Sequence, residues 1–169
     1  SSDFLRCAKT SEIAKIHLGI SEIIFDKRLR EINVGIFEGK LCKEYHKYYN
    51  SFLEKFEKTL PEGESLNDLK ARIWDFLKDI NEKYQNKKIL IVGHEYPLWI
   101  LSGVARGLAN EEIIKLRSKN KDFVNTAEIK KLNYIKLPLN DKGDLDLHRP
   151  YVDEIKLKCK KCKGEAVRV

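Results

Sequence analysis

Lys88-Ile89-Leu90-Ile91-Val92-Gly93-His94-Glu95 is the stretch on which the fold turns. It follows a polar segment. Its apolar run is too short for a helix and suits a buried strand, so Lys88 to Gly93 is predicted to be the central strand of a sheet. His94 stands directly after it, where open α/β sheets bind their ligands. Downstream, a helix is expected from about Pro97 to Leu108, because proline is tolerated in a first turn. A second is expected from Asn110 to about Lys119, and a strand from Ala127 to Leu137. Upstream, Ser65 opens a long helix to about Tyr84. Ser65 and Asp68 form a capping box, and Leu66, Leu69, Ile73, Phe76, Leu77 and Ile80 recur at steps of three and four. Leu60-Pro61-Glu62-Gly63 separates it from a helical, partly exposed segment, Lys43 to Lys58. Arg28 to Gly39 reads as a loop, Ser21 to Phe25 as a short strand, and Ser1 to Gly19 as a helix capped by Ser1 or Ser2. This alternation predicts an α/β fold, a three-layer arrangement with helices on both faces of a sheet.

The bulk properties set limits. The 169 residues are 42% hydrophobic and 35% charged, which suits a globular domain with a short appendage. No apolar run approaches the ~20 residues of a membrane span, and no secretory leader opens the chain. The expected location is therefore cytoplasmic. The absence of methionine points to a processed or internal piece of a longer protein. Net charge is +7, and residues 155 to 169 hold six of the basic side chains against Glu165 alone. Such an end suits a polyanion such as RNA, or is a solvated lysine-rich face. Of the four cysteines, Cys7 and Cys42 are isolated, whereas Cys159 and Cys162 form Cys-x-x-Cys, for which a metal or redox role outranks a disulfide.

Four segments carry the chemistry: Ser-Ser-Asp-Phe-Leu-Arg-Cys-Ala-Lys-Thr (1–10), Arg-Leu-Arg-Glu-Ile-Asn-Val-Gly-Ile-Phe-Glu-Gly (28–39), Pro-Glu-Gly-Glu-Ser-Leu (61–66) and Ile-Val-Gly-His-Glu (91–95). Phosphoryl transfer needs a nucleophile, cations for the equatorial oxygens and an acid for the leaving group. An arginine fork, a strand-end histidine and carboxylates are the residue types such a site uses. Taken singly, Arg6 could be a surface arginine, His94 a structural histidine, and Glu31 or Glu95 an exposed carboxylate.

In this order and spacing, residues 1 to 136 resemble the histidine-phosphatase (phosphoglycerate-mutase-like) superfamily. The resemblance implies that Arg6 and His94 bind phosphate, and that Glu31 or, as a rival, Glu95 donates the proton to the leaving group. It implies that Glu64 and Ser65 lie at the substrate mouth, where Ser65 is also a helix cap. It implies no cofactor for this domain. His17, His46 and His148 match no catalytic position and read as surface residues. The family opens with a strand ending in Arg-His-Gly, whose histidine is phosphorylated. No such stretch occurs in this sequence. The expectation is thus a domain truncated at its N-terminus, lacking its first strand and nucleophile, and without turnover in this piece.

Residues 137 to 169 resemble another family. Leu-Pro-Leu-Asn-Asp-Lys-Gly-Asp-Leu-Asp-Leu-His-Arg-Pro-Tyr-Val-Asp-Glu-Ile (137–155), followed by Leu-Lys-Cys-Lys-Lys-Cys-Lys-Gly, is similar to the editing-domain connection of isoleucyl-tRNA synthetase. Cys159 and Cys162 would then be half of a zinc knuckle, since tetrahedral zinc takes four ligands. On this reading the tail is a short β, zinc-knuckle-like segment. The chain is a fragment of an isoleucine-tRNA ligase, whose parent uses ATP to charge tRNA and supplies the remaining contacts. Two alternatives stand beside it: a free-standing histidine phosphatase or mutase acting on a small phosphate ester, and a non-catalytic binding or spacer module.

Overall fold

Among residues 1–118 and 123–132, which the computed structural model describes, the chain forms six α-helices. They are α1 (Leu5–Leu18), α2 (Cys42–Lys47), α3 (Glu54–Glu57), α4 (Leu66–Lys83), α5 (Glu95–Val104) and α6 (Asn110–Ser118), with single 3-10 turns at Lys27–Leu29 and Gly35–Phe37. The core is helical and is organised by α4. The Ser65 hydroxyl accepts the Asp68 N–H at 3.1 Å, and the Asp68 carboxylate accepts the Ser65 N–H at 2.8 Å. This reciprocal cap satisfies two N–H groups at the helix start. The predicted apolar stripe is buried at Leu66, Leu69, Ile73, Phe76 and Leu77, each contributing roughly 1.5–3 kcal/mol by leaving water.

Helix α5 packs on that stripe and is buried almost all round, at Tyr96, Pro97, Trp99, Ile100, Leu101, Gly103 and Val104. It needs no amphipathic pattern because it lies between α4 and α6. Gly103 lets α6 come close: a Cβ there would lie 2.4 Å from Ile113 Cγ1. The Trp99 indole donates to the Ile113 carbonyl at 2.9 Å, which fixes the pair of helices in register.

The sheet expected from the sequence is not present among the described residues. Lys88–Gly93 and the 21–25 segment carry neither helix nor strand, and no ladder forms on either. Their cross-chain backbone bonds run to the N-terminus: Ser2 N–H to Val92 O at 2.9 Å, Asp26 N–H to Ser1 O at 2.8 Å, and the Ser1 amino group to Ile24 O at 2.8 Å. A strand is defined by its neighbour, and an apolar run without one makes no strand. Accordingly Ile89 and Leu90 are 47% and 41% exposed, where the sequence predicted a buried strand. Residues 127–132 also form no strand, and 133–137 lie outside the described residues.

Two further expectations are corrected. The helix predicted over 43–58 is divided into α2 and α3, because Asn50 and Ser51 turn the chain between them. The Glu54 carboxylate accepts the Asn50 N–H, and the Ser51 hydroxyl accepts the Glu54 N–H. Helix α1 begins after Phe4 and ends at left-handed Gly19, yet buries only Cys7 and Ser11. Its apolar residues Leu5, Ile13, Ile16 and Leu18 are exposed. The boundary placed near residue 137 and the whole tail lie outside the described residues.

Candidate active site

The chain carries Arg6, Glu31, Glu95 and Glu64 to one cavity of about 750 Å³. Helix α1 brings Arg6, the loop after the first 3-10 turn brings Glu31, the start of α5 brings Glu95, and the residue before the α4 cap is Glu64. His94 stands behind this lining, only 6% exposed. Its Nδ1 accepts from Arg6 Nε at 3.0 Å, and its Nε2 lies 3.0 Å from the Ser2 hydroxyl. An arginine can only donate, so Nδ1 carries the lone pair and the ring proton sits on Nε2. The Cys7 thiol packs 3.5 Å from Nε2, and Phe4 meets the ring edge-on. Burial, then the Arg6 and Arg72 charges, push the His94 pKa down to about 4. The imidazole is therefore neutral near pH 7 and orients Arg6.

Arg6 is exposed, and no carboxylate pairs with it among the described residues. Its Nε is anchored on His94 while its guanidinium faces the cavity. An anchored arginine without a counter-ion, facing a cavity, is a place for an external anion.

The two rival carboxyls differ. Burial raises the Glu31 pKa, with Glu95 adding to the rise and Arg6 opposing it. Glu31 Oε1 accepts its neighbour's Ile32 N–H at 3.0 Å, and a hydrogen bond with the Tyr96 backbone also holds the carboxyl. Glu95 is committed to Arg117, 2.7 Å away. Glu64 is committed as well: Arg72 grips it through two nitrogens at 3.0 and 2.6 Å, and it accepts the Asn33 N–H at 2.9 Å. It lines the cavity as a strut, and Ser65 serves α4 as its cap.

Sequence reasoning missed several residues. Arg72 donates to the carbonyls of Arg28 and Glu31 in addition to Glu64, and so ties the Glu31 loop to α4. Arg30 forks onto Asp3 at 2.6 and 2.5 Å and lines the cavity beside Arg6. Arg117 lies over Tyr96, Phe52 and Trp99. No local pattern marks these arginines, because their partners are distant in the chain. His46 is exposed, as expected, and also lines the cavity, as does Cys42. His17 is exposed as expected. His148, Cys159 and Cys162 lie outside the described residues. No cluster of metal-ligating side chains occurs among the described residues, and no helix there is long and apolar enough to cross a membrane.

An anchored, unpaired arginine beside a half-buried carboxyl of raised pKa makes this an anion pocket with an acid at its wall. The chain belongs to the histidine phosphatase superfamily (branch 1), whose sequence profile matches residues 1–134. Similar proteins include the probable phosphoglycerate mutases GpmB of Shigella boydii serotype 18 and of Escherichia coli O1:K1. Each is 32% identical over 125 residues, a span that covers 71% of this chain and 58% of the relative. The chain thus spans less than two thirds of these relatives. YhfR of Bacillus stearothermophilus shares the fold, with a TM-score of 0.52 at 20% identity, over 86% of this chain and 68% of that one. The likeness supports an α/β, phosphoglycerate-mutase-like fold, although no strand forms among the described residues.

These matches overturn the main functional expectation. They support a phosphoglycerate-mutase-like histidine phosphatase and give no support for an isoleucyl-tRNA synthetase origin. The synthetase reading rested on residues 137–169, which lie beyond the matched span. The ATP-binding and zinc expectations attached to that reading receive no support from these matches.

Proposed function

We propose that this chain provides the phosphate-binding and proton-donating part of a site that transfers the phosphoryl group of a small phosphate ester, as a phosphatase or mutase does. The observation that carries the reading is the Arg6–His94 pair: a cavity-facing guanidinium, free of any carboxylate among the described residues, held at 3.0 Å by a buried neutral imidazole. Arg6 neutralises the equatorial oxygens, and His94 sets its orientation and comes within reach of phosphate when that bond yields. Glu31 is the general acid in preference to Glu95. Burial raises its pKa and so favours its protonated form, and an alkoxide leaving group needs a proton. Arg72 is a positioning residue for Glu31. The nucleophile of the family is a histidine in Arg-His-Gly, which this sequence does not contain. The expected behaviour of the chain is therefore phosphate binding without turnover.

The test is titration with inorganic phosphate followed by NMR. Resonances of Arg6, Glu31 and His94 should shift, and Arg6→Ala should remove the response while the protein stays folded. Binding that is indifferent to Arg6→Ala would overturn the reading. So would hydrolysis of an aryl phosphate by the chain, whether or not it survives His94→Ala.

A further inference from the structure

Cys7 and Ser2 are both buried, and no step of the phosphate-ester reading uses either. Both meet His94 at Nε2, the nitrogen that Arg6 leaves free: Ser2 Oγ at 3.0 Å and Cys7 Sγ at 3.5 Å. The thiol also lies 3.4 Å from the Gly93 carbonyl oxygen, and a hydrogen bond with Ser2 holds it as well. The Phe4 N–H donates to Ser2 Oγ at 3.3 Å. Buried groups take their hydrogen-bond partners from one another, so the few hydrogens in this cluster can be assigned in turn.

A carbonyl can only accept, so the single thiol hydrogen goes to Gly93. The sulfur then offers lone pairs to Ser2, and the serine hydrogen goes to the sulfur. The serine oxygen is left as an acceptor for the Phe4 N–H and for Nε2–H of His94. At the other ring nitrogen Arg6 can only donate, so Nδ1 keeps its lone pair. The hydrogen bonds therefore all run one way, from Arg6 through His94, Ser2 and Cys7 to Gly93. Arg6 by itself does not fix this direction, because an exposed arginine can turn away from the ring. We infer that Cys7 is a positioning residue for the phosphate site: acting through the Ser2 hydroxyl, its thiol keeps His94 in the tautomer whose Nδ1 lone pair holds Arg6 toward the cavity. The inference rests on the phosphate-ester reading of Arg6. Without the sulfur, the serine hydrogen is free to turn onto Nε2. The ring then carries its proton on Nδ1, where it opposes the Arg6 N–H, and the guanidinium loses its anchor.

The experiment records nitrogen NMR of His94 at neutral pH and calorimetric binding of inorganic phosphate, in the intact chain, in Cys7→Ala and in Cys7→Ser. The parent should show the Nε2-protonated tautomer alone. Cys7→Ala should show a mixture of the two tautomers and bind phosphate about fivefold more weakly, the worth of one modest hydrogen bond. Cys7→Ser keeps a group that accepts from Ser2 and donates to Gly93, so it should retain the parent tautomer and the parent affinity. A cysteine that only fills space would lower the unfolding midpoint of Cys7→Ala and leave its tautomer and phosphate affinity unchanged, and that result would overturn the inference. Equal mixtures in Cys7→Ser and Cys7→Ala would do the same. A mixture in the parent chain would overturn it with no substitution at all, so the test does not depend on a variant that folds. If the tautomers follow these expectations while phosphate binding ignores Arg6→Ala, the phosphate-ester reading fails, and this inference fails with it.

Discussion

Replacing Arg72 by alanine should be among the most damaging single changes away from the apolar core. Its guanidinium grips Glu64 at 3.0 and 2.6 Å and donates to the carbonyls of Arg28 and Glu31, and both charged side chains are largely buried. Truncation leaves the Glu64 carboxylate with the Asn33 N–H as its remaining partner at 2.9 Å, and deprives two loop carbonyls of their donor. Breaking a mostly buried pair from one side costs roughly 3–5 kcal/mol, and residual exposure here favours the lower end, about 3 kcal/mol. With a urea slope near 2 kcal/mol/M for a domain of this size, the midpoint should fall by about 1.5 M. Arg72→Lys should recover less than half of this, since an ammonium cannot make the fork. Arg72→Ala combined with Glu64→Gln should be less costly than the two single losses added, because no uncompensated charge is left. Glu31 sits on the loop that Arg72 holds, so its NMR-monitored titration should also move toward that of an exposed carboxyl. A midpoint within about 0.3 M of the parent, or strictly additive losses, would refute the claim that this fork ties the Glu31 loop to α4.

Other outcomes follow from the same structure. His94 has a folded pKa near 4 against an ordinary 6.5, so the folded state binds fewer protons than the unfolded one. Stability should be complete above about pH 6.5 and fall by up to about 3 kcal/mol as the pH drops toward 4, a slope that His94→Gln should flatten in urea midpoints taken across that range. The Glu31 shift has the opposite sign. Its ionisation costs stability once pH rises through its raised pKa, so Glu31→Gln should raise the melting temperature at pH 7 and leave it unchanged at pH 3. Gly103→Ala places a methyl 2.4 Å from Ile113 Cγ1 and should cost about 1–3 kcal/mol by denaturant melting; an unchanged midpoint would mean that α5 and α6 are not held this tightly.

Several elements could be read without coordinates because their causes are local. The α4 cap needs only Ser65 and Asp68, three residues apart, and the buried face of α4 follows from helical spacing. Gly19 ends α1 through its own left-handed backbone. The candidate site residues were legible as types at spacings: Arg6, Glu31, Glu64 and Glu95 do line one cavity, with His94 behind it. Local pattern misled where the deciding partner is remote. The Lys88–Gly93 run looks like a buried strand, but strand pairing is a property of two segments, and no ladder forms there among the described residues.

What the sequence determined by itself is the α4 core stripe, its cap, and the residue types able to handle phosphate. Tertiary structure alone decided which charges are spent and which are left over. Glu64 and Glu95 are consumed by Arg72 and Arg117, whereas among the described residues Arg6 has no carboxylate partner and Glu31 keeps its raised pKa. It also gave the exposed His46 a place in the cavity wall, with the buried Lys55 Nζ 2.7 Å from its Nδ1. The reason is that an ionisable group's chemistry depends on its burial and on charges a few ångströms away. Arg6 and His94 are 88 positions apart in the chain, and only folding brings them to 3.0 Å.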